Sequence, residues 1–532
     1  MPSHPRYQGE SCFRHVPTST VAGGCFGSPC IPKLTVVTLS LPPFDESLLI
    51  LSDVHLGNDL NDLTPDAARR SQKVDVDLAD LLTHYRRTPP TGRRWRLVIA
   101  GDFIDFIGMA ILPRELDDVH LDTEPSDEER EHGLGNAADH GRLKLRAVAL
   151  RHAVVMQALA DFVADGHALT IVHGNHDMEF HWDVVKEDLK ALLLQLAQAT
   201  PGRQDAAFAA DFVARIGFEP WFYYVKDVAY VEHGHQYDTL CSTDHVMAPL
   251  SPLDPRRIAR SFSDVLLRWV VRPTRGVPEY GHDRMGVLDY VALGMRMGLG
   301  GLWQLFSRYV LAIVELLRLR RAHLSKAADA LRAEHDRRME ALAAVTRGGI
   351  EKLRALAALQ VPPVTRSIPK IMASLLVDRL ALGLAAAMAL VALLVFKHLD
   401  ATGWAAIGGV LLVWVLVQWH LARRRRAMFG EKLDNDATLV DRAGHLVHLF
   451  PAAFVVMGHT HTPARVELPD GASTYVNVGS WHEGESDAGD TTAFRAARTH
   501  LVIHPNADAT KPGPVAEFLA WSPDGPRRFN RG

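Results

Sequence analysis

Five short stretches of the chain end in side chains that can hold a cation: Asp53-Val54-His55, Gly101-Asp102, Gly174-Asn175-His176-Asp177, His233-Gly234-His235 and Gly458-His459-Thr460-His461. In extended backbone, residues i and i+2 point the same way, so the last stretch presents two imidazoles side by side. Two donors are too few to hold an ion, and partners must come from the other four stretches. Together they offer carboxylates, imidazoles and an amide oxygen, a mix that suits divalent Mn, Fe or Zn better than the thiolate sites of structural zinc. The donors outnumber what one catalytic ion takes, so two ions are expected. Two ions about 3.5–4 Å apart form a clamp for in-line displacement at phosphorus. Singly, each stretch is a weak signal, since D-x-H is a common polar turn and G-N-H-D a common Asx-type turn. Their number and order carry the signal.

Apolar runs that read as buried strands lead into these stretches: "SLLILSDVHLG" (47–57), "RRWRLVIAGDFIDF" (93–106), "HALTIVHGNHD" (167–177), "DVAYVEHGHQYD" (227–238) and "AAFVVMGHTH" (452–461). Helical spacing appears at 69–86, through Val74, Leu78, Leu81 and Leu82, and again at about 141–165 and 433–449. "STYVNVGSW" (473–481) and "RTHLVIHP" (498–505) read as later strands, and the acidic run 115–133 as a solvated loop. Strands alternating with helices predict an α/β layered sheet. In such sheets ligands sit at the carboxyl ends of strands, where the donors fall.

The order of the motifs resembles the calcineurin-like metallophosphoesterase superfamily, whose pattern is D-x-H, G-D-x-x-D, G-N-H-D/E, an isolated His and G-H-x-H. This chain has "SDVHLG", "GDFID", "GNHD", "EHGH" and "GHTH", covering 47–240 and 450–482. The resemblance implies a layered β-sheet metallophosphoesterase sandwich with flanking helices. It implies that Asp53, His55 and His461 hold one divalent ion (Mn, Fe or Zn) and Asn175, His233 and His459 the other. Asp102 would bridge them, and a bridging hydroxide would attack a phosphate mono- or diester. His176 would act on the leaving oxygen as general acid or electrostatic stabiliser. Asp105 and Asp177 would orient imidazoles or close loops. His235 is open between ligand, supporting group and substrate contact, with His233 favoured as the ligand. Asn477, Gly479 and Ser480 read as loop-shaping.

The stretch from Gly101 to Ile107 lacks the Arg-Gly of phosphoprotein phosphatases, so a phosphoprotein substrate is disfavoured. "SDVHLG" and "HGHQYD" are similar to the branch with UDP-2,3-diacylglucosamine hydrolases, which usually carry Arg where this chain has His176. A non-catalytic scaffold of the same fold would be expected to lose ligands, and here every position is filled. A nuclease would need a basic groove; the net charge is −4 and the acidic run would repel a phosphate backbone, so no nucleic acid is expected as partner.

At 532 residues the chain exceeds one compact core. The expected divisions are a loose extension (1–45), the first part of the catalytic domain (46–245), a helical insertion (246–372), a transmembrane hairpin (373–426) and the second part of the catalytic domain (427–532). The hairpin rests on two apolar runs, 380–396 and 404–421, with Trp404, Trp414 and Trp419 as interfacial anchors. Lys370, Arg379 and Arg423 to Arg426 put both outer flanks on the cytoplasmic side. That predicts a multi-pass protein of the inner or cell membrane with its catalytic domain facing the cytoplasm. Donors lie on both sides of the insertion, so the chain must cross an even number of times. The run 287–317, interrupted by Asp289, Arg296, Arg308 and Glu315, reads as an amphipathic segment on the membrane or over the site. The four cysteines, Cys12, Cys25, Cys30 and Cys241, lack paired spacing and predict free thiols, and the polar start "MPSHPRYQGESCFRHVPTST" predicts no export signal.

Overall fold

The computed structural model describes residues 46–60, 65–90, 92–115, 119–273, 287–346, 349–375, 377–396, 401–429, 435–482, 498–505 and 513–529. The expected extension 1–45, with Cys12, Cys25 and Cys30, lies outside them. The strands are β1 (Ser47–Leu51), β2 (Trp95–Ala100), β3 (Ala168–Val172), β4 (Ile216–Glu219), β5 (Phe222–Val225), β6 (Ala229–Glu232), β7 (Phe454–Met457), β8 (Ala464–Glu467), β9 (Thr474–Asn477), β10 (Thr499–His504), β11 (Val515–Ser522) and β12 (Gly525–Arg528). The helices are α1 (Pro65–Arg87), α2 (Asp127–His132), α3 (Ala138–Arg151), α4 (Ala153–Ala164), α5 (Asp183–Gln198), α6 (Ala206–Ala214), α7 (Phe262–Leu266), α8 (Val287–Ala322), α9 (Lys326–Thr346), α10 (Gly349–Leu359), α11 (Ile368–Ser374), α12 (Val377–Phe396), α13 (Ala401–Phe429) and α14 (Asn435–Leu449).

The fold is mixed α/β with two sheets, ordered β12-β11-β10-β1-β2-β3-β4 and β5-β6-β7-β9-β8. Strands β1 to β4 run parallel, and β6, β7 and β9 are parallel neighbours in the second sheet. Parallel strands covered on both faces favour apolar residues at most positions, which is why β1 to β3 and β7 read as apolar runs. Leu49, Leu51, Leu97, Ile99, Leu169 and Ile171 point to a core shared with α1, α4 and α5. Their neighbours Leu48, Ile50, Val98, Ala100 and Val172 point the other way, against Tyr223, Val231, Val456 and Val476 of the second sheet. Helices α10 and α14 cover the far side of that sheet, through Leu353, Leu356, Leu439 and Leu446 on Phe222, Tyr230, Val455 and Tyr475. The strands thus form two packed sheets with helices outside.

The chain leaves the second sheet after β6 and returns to it at β7, which pairs directly with β6: Ala229 faces Phe454, Tyr230 faces Val455 and Val231 faces Val456. Between them lie irregular chain, α7 to α13 and then α14. The stretch 309–360, rich in Leu, Ala, Arg and Glu, is the end of α8 followed by α9 and α10. The helix expected at 141–165 is two helices bent by 93°. His152 sits at the bend outside helical geometry; its Nε2 accepts from the Gly57 amide at 2.9 Å, and its Nδ1 lies 2.7 Å from Asp75 Oδ1.

Helix α13 contains one segment, Thr402–Arg425, long and apolar enough to cross a membrane, and its most apolar stretch is not buried in the fold. Its 24 residues rise about 36 Å, more than a bilayer's hydrocarbon core. The apolar part of α12, Ala385–Val395, is shorter. Met388, Val391 and Leu394 of α12 and Leu412, Val413, Val415 and Leu416 of α13 are all exposed.

The acidic run is not simply a solvated loop. Its last part forms α2, started by a capping box in which the Ser126 hydroxyl accepts from the Glu129 amide and the Glu129 carboxylate from the Ser126 amide. Glu129 is fully buried and takes two hydrogen bonds from Arg257, at 2.7 and 3.0 Å. Glu128 pairs with Arg260 and Arg268. The arginines come from the insertion, so the acidic residues clamp it to the first sheet's domain. Glu129→Ala is expected to cost about 3 kcal/mol, because it removes a fully buried carboxylate with its two bonds from Arg257 and its bond from the Ser126 amide. Glu124→Ala, which removes an exposed partner of Arg130, should cost under about 1 kcal/mol. Thermal unfolding followed by circular dichroism checks the difference.

Candidate metal centre

Each donor stretch follows a strand end: Asp53 and His55 after β1, Asp102 after β2, Asn175 and His176 after β3, His233 after β6, His459 and His461 after β7. The loops are laced together by backbone hydrogen bonds. Val54 and His55 amides donate to the Asp102 carbonyl at 2.9 and 3.0 Å, Gly458 to His233 at 3.1 Å and Trp481 to Asp53 at 3.0 Å. Seven non-glycine residues among those described have positive φ, and five of them are Asp53, His55, Asp102, His459 and His461. Left-handed backbone is disfavoured for side chains with a Cβ, and such strain concentrates where geometry is dictated by a site. Two glycines make the close approach possible: a Cβ on Gly174 would fall 2.0 Å from Asp102 Oδ1, and one on Gly458 would fall 2.2 Å from Asp53 Oδ2.

The side chains converge in two overlapping groups, Asp53 with His55 and His461, and Asp53 with Asp102 and His233. Asp53 Oδ1 is buried without a hydrogen-bond donor and lies 3.1 Å from His461 Nε2. His461 Nε2 is also 3.2 Å from His55 Nε2, so two imidazole nitrogens and a carboxylate oxygen face one point. Asp102 Oδ2 lies 3.1 Å from His233 Nε2 and 3.8 Å from His55 Nε2, placing one carboxylate between the two groups. Asn175 Oδ1 is 3.1 Å from the same His233 nitrogen. His233 Nδ1 is 2.9 Å from the Ala100 carbonyl. Donating there, the ring keeps its Nε2 lone pair for the site, the arrangement metal-bound histidines use. An orphaned carboxylate oxygen and imidazole nitrogens turned on one another fit a cation set well. Several of these clusters could hold a metal ion.

His176 stands beside this set, its ring centroid 4.8 Å from that of His55. Its Nδ1 is 2.7 Å from Asp105 Oδ1, and its amide donates to Asp102 Oδ1 at 2.8 Å. Asp105 also accepts from the Gly108 amide at 2.6 Å, so it orients an imidazole and closes a turn together. Asp177 only closes loops: it accepts from the amides of Phe103 at 2.8 Å and Gly174 at 2.6 Å and reaches no imidazole. His235 is buried 5.5 Å, centroid to centroid, from His233, and neither of its ring nitrogens has a hydrogen-bond partner. It is His233, not His235, that reaches Asp102 and Asn175. Asn477 and Ser480 shape loops, donating to the Gly458 carbonyl at 2.8 Å and the Asp53 carbonyl at 3.0 Å.

His459 is the outlier. Its ring lies 5.3 Å from that of His233, but its Nε2 is 3.1 Å from Asp238 Oδ2, 221 residues earlier in the chain. Asp238 was not among the expected site residues. The pairing fixes the ring's tautomer and leaves Nδ1 as its nitrogen for a cation. Asp238 closes the quoted "HGHQYD", but nothing in its spacing points to His459. His482 is a second addition, 6.0 Å from the His55 ring and 3.2 Å, Nε2 to Nδ2, from Asn58.

Electrostatics follow from burial and this crowding. Burial opposes the charges of Asp53 and Asp102, yet the imidazoles of His461 and His233 beside one, and of His233 and His176 beside the other, hold both carboxyls well below the usual range. Burial likewise opposes protonation of His176, but Asp105 and Asp102 outweigh it and hold its pKa up to about 10. The site pairs ionised carboxylates with a histidine that stays protonated at neutral pH.

A scan against protein-family models found no match to the chain, and a search of curated proteins found none either. The geometry therefore carries the functional reading alone. Asp238→Asn is expected to weaken metal binding about 10–100-fold, as loss of a carboxylate behind a ligating histidine does. Titration of the metal-stripped protein with Mn²⁺, read by calorimetry, measures it; an unchanged affinity would show that Asp238 does not support a ligand.

Proposed function

We propose that the chain is a membrane-anchored, metal-dependent phosphoesterase of the calcineurin-like type, with two divalent ions and a phosphate mono- or diester as substrate. The observation that carries this reading is the placement of Asp102 between two donor groups, Asp53–His55–His461 and His233–Asn175. A single ion would not need a carboxylate shared by two sets. Asp53, His55, His461 and Asp102 would hold one ion, and Asp102, Asn175, His233 and His459 the other. When bound, the pair supplies Lewis acidity, neutralising charge on phosphoryl oxygens and lowering the pKa of water.

The chain's own residues do the rest. Asn175 adds an oxygen donor without a further negative charge, which favours an anionic substrate. Asp105, 2.7 Å from His176 Nδ1, fixes that ring so that its other nitrogen presents a proton. His176 then donates to the leaving oxygen, and Asp102 fixes the start of its backbone through the His176 amide. Because α13 is apolar and unburied, it would sit in a bilayer, and β7's return to β6 requires a second crossing, for which α12 is the candidate. The arginines after Trp419 would keep both flanks and the site on the cytoplasmic side.

Purified protein with added Mn²⁺ is expected to hydrolyse bis-p-nitrophenyl phosphate or p-nitrophenyl phosphate, and Asp102→Asn and His176→Ala to lose at least about 100-fold in kcat/KM. Activity retained in Asp102→Asn would sink the reading. For the membrane part, alkaline carbonate should leave the protein in the pelleted membranes, and release into the supernatant would refute a spanning helix.

A further inference from the structure

Helix α8 carries a row of large apolar side chains that the fold leaves uncovered: Trp303 is 69% exposed, Phe306 57%, Val310 40%, Leu311 47% and Val314 57%. Spacings of three and four residues put them on one face of the helix. The opposite face is core: Ala312, Leu316 and Leu319 pack with Val265, Val364, Ile371 and Leu375. The helix breaks at Gly298, whose φ of 69° and ψ of 179° are not helical. The exposed row therefore begins just after a bend, with Trp303. It ends at Arg318 and Arg321, both exposed.

Its position relative to the hairpin is fixed by contacts. The Tyr309 hydroxyl, level with the middle of the row but on the side packed against the core, donates to the Leu375 carbonyl. Leu375 is the C-cap of α11 and stands just before α12 begins at Val377. The middle of α8 is thus pinned to the point where the apolar hairpin leaves the fold. A helix held at that level, apolar outward, with Trp at one end of the face and Arg at the other, matches the composition of helices that lie in the headgroup layer.

We propose that the outer face of α8, from Trp303 to Val314, lies in the headgroup layer of an anionic bilayer as a second membrane contact beside the hairpin. The inference rests on the membrane reading of α12 and α13, and goes beyond it by fixing which side of the helical insertion meets the lipid. A helix lying flat and a hairpin standing upright define a plane, so the insertion would hold the catalytic domain at one tilt. A substrate whose phosphate sits at the bilayer surface is the class such a placement serves.

The test uses the full chain reconstituted in phosphatidylcholine–phosphatidylglycerol vesicles, with Cys12, Cys25, Cys30 and the free Cys241 replaced by serine. Single Val310→Cys, Leu412→Cys and Ala333→Cys variants carry an environment-sensitive NBD label. All three positions are exposed, so labelling does not disturb a core. The expected result is blue-shifted emission at position 310, quenched by lipids brominated near the headgroup. Position 412 should be quenched by lipids brominated deep in the chains, and position 333 by neither. Water-like emission at 310 with lipid quenching at 412 overturns the α8 contact while leaving the hairpin intact. Blue-shifted emission at 310 without lipid quenching also overturns it, because the face is then covered by protein, a second copy or a partner. Water-like emission at both 310 and 412 defeats the membrane reading and the contact with it.

Discussion

The parallel pairing of β7 with β6 is the constraint on which the rest depends. It brings Gly458-His459-Thr460-His461 beside His233 and, across the two sheets, within reach of Asp53 and His55. The strand is short, from Phe454 to Met457, and buried throughout. Its position is set by apolar contact on both faces, to Ile50 and Val98 of the first sheet on one side and Leu446 of α14 on the other. The hydrophobic effect locates the strand, and the strand locates the two last imidazoles.

Holding that many donors together is costly. Burial works against the charges of Asp53 and Asp102, and five site residues adopt left-handed backbone. Imidazoles beside each carboxylate offset the first cost, and amide hydrogen bonds from one loop to the next offset the second. A cation set is the chemistry such an arrangement suits, because cations neutralise the carboxylates and share the imidazole lone pairs. His176 is a different kind of member. Asp105 and Asp102 keep it charged, which suits a proton donor and not a ligand.

The insertion is attached at both ends by unlike forces. Near the first sheet it is held by ion pairs, Glu128 and Glu129 with Arg257, Arg260 and Arg268. Farther along, at 361–364, it is held by backbone hydrogen bonds to the chain after β6, from Val361 to Gln236 and Val364 to Thr239. The Gln236–Thr239 stretch also contains Asp238, the partner of His459. The excursion of chain is therefore tied to the same loop that supports one of the candidate ligands.

The amino-acid sequence by itself determines the five strand ends and most of the donors on them. Buried parallel strands favour apolar runs, and a polar residue just past such a run falls at the carboxyl edge of the sheet whatever else the chain does. β4, β5, β8, β11 and β12 are not legible in this way, because short or half-exposed strands owe their conformation to the neighbour they pair with. Only the tertiary structure decides that Glu129 is buried and not solvated, since Arg257, which neutralises it, is 128 residues away. The same holds for Asp238 behind His459 and for the bend at His152, where a side chain is claimed by the Gly57 amide. Local pattern fixes which residues can be donors; which carboxylate stands behind which imidazole is fixed by packing between segments that sequence spacing does not relate.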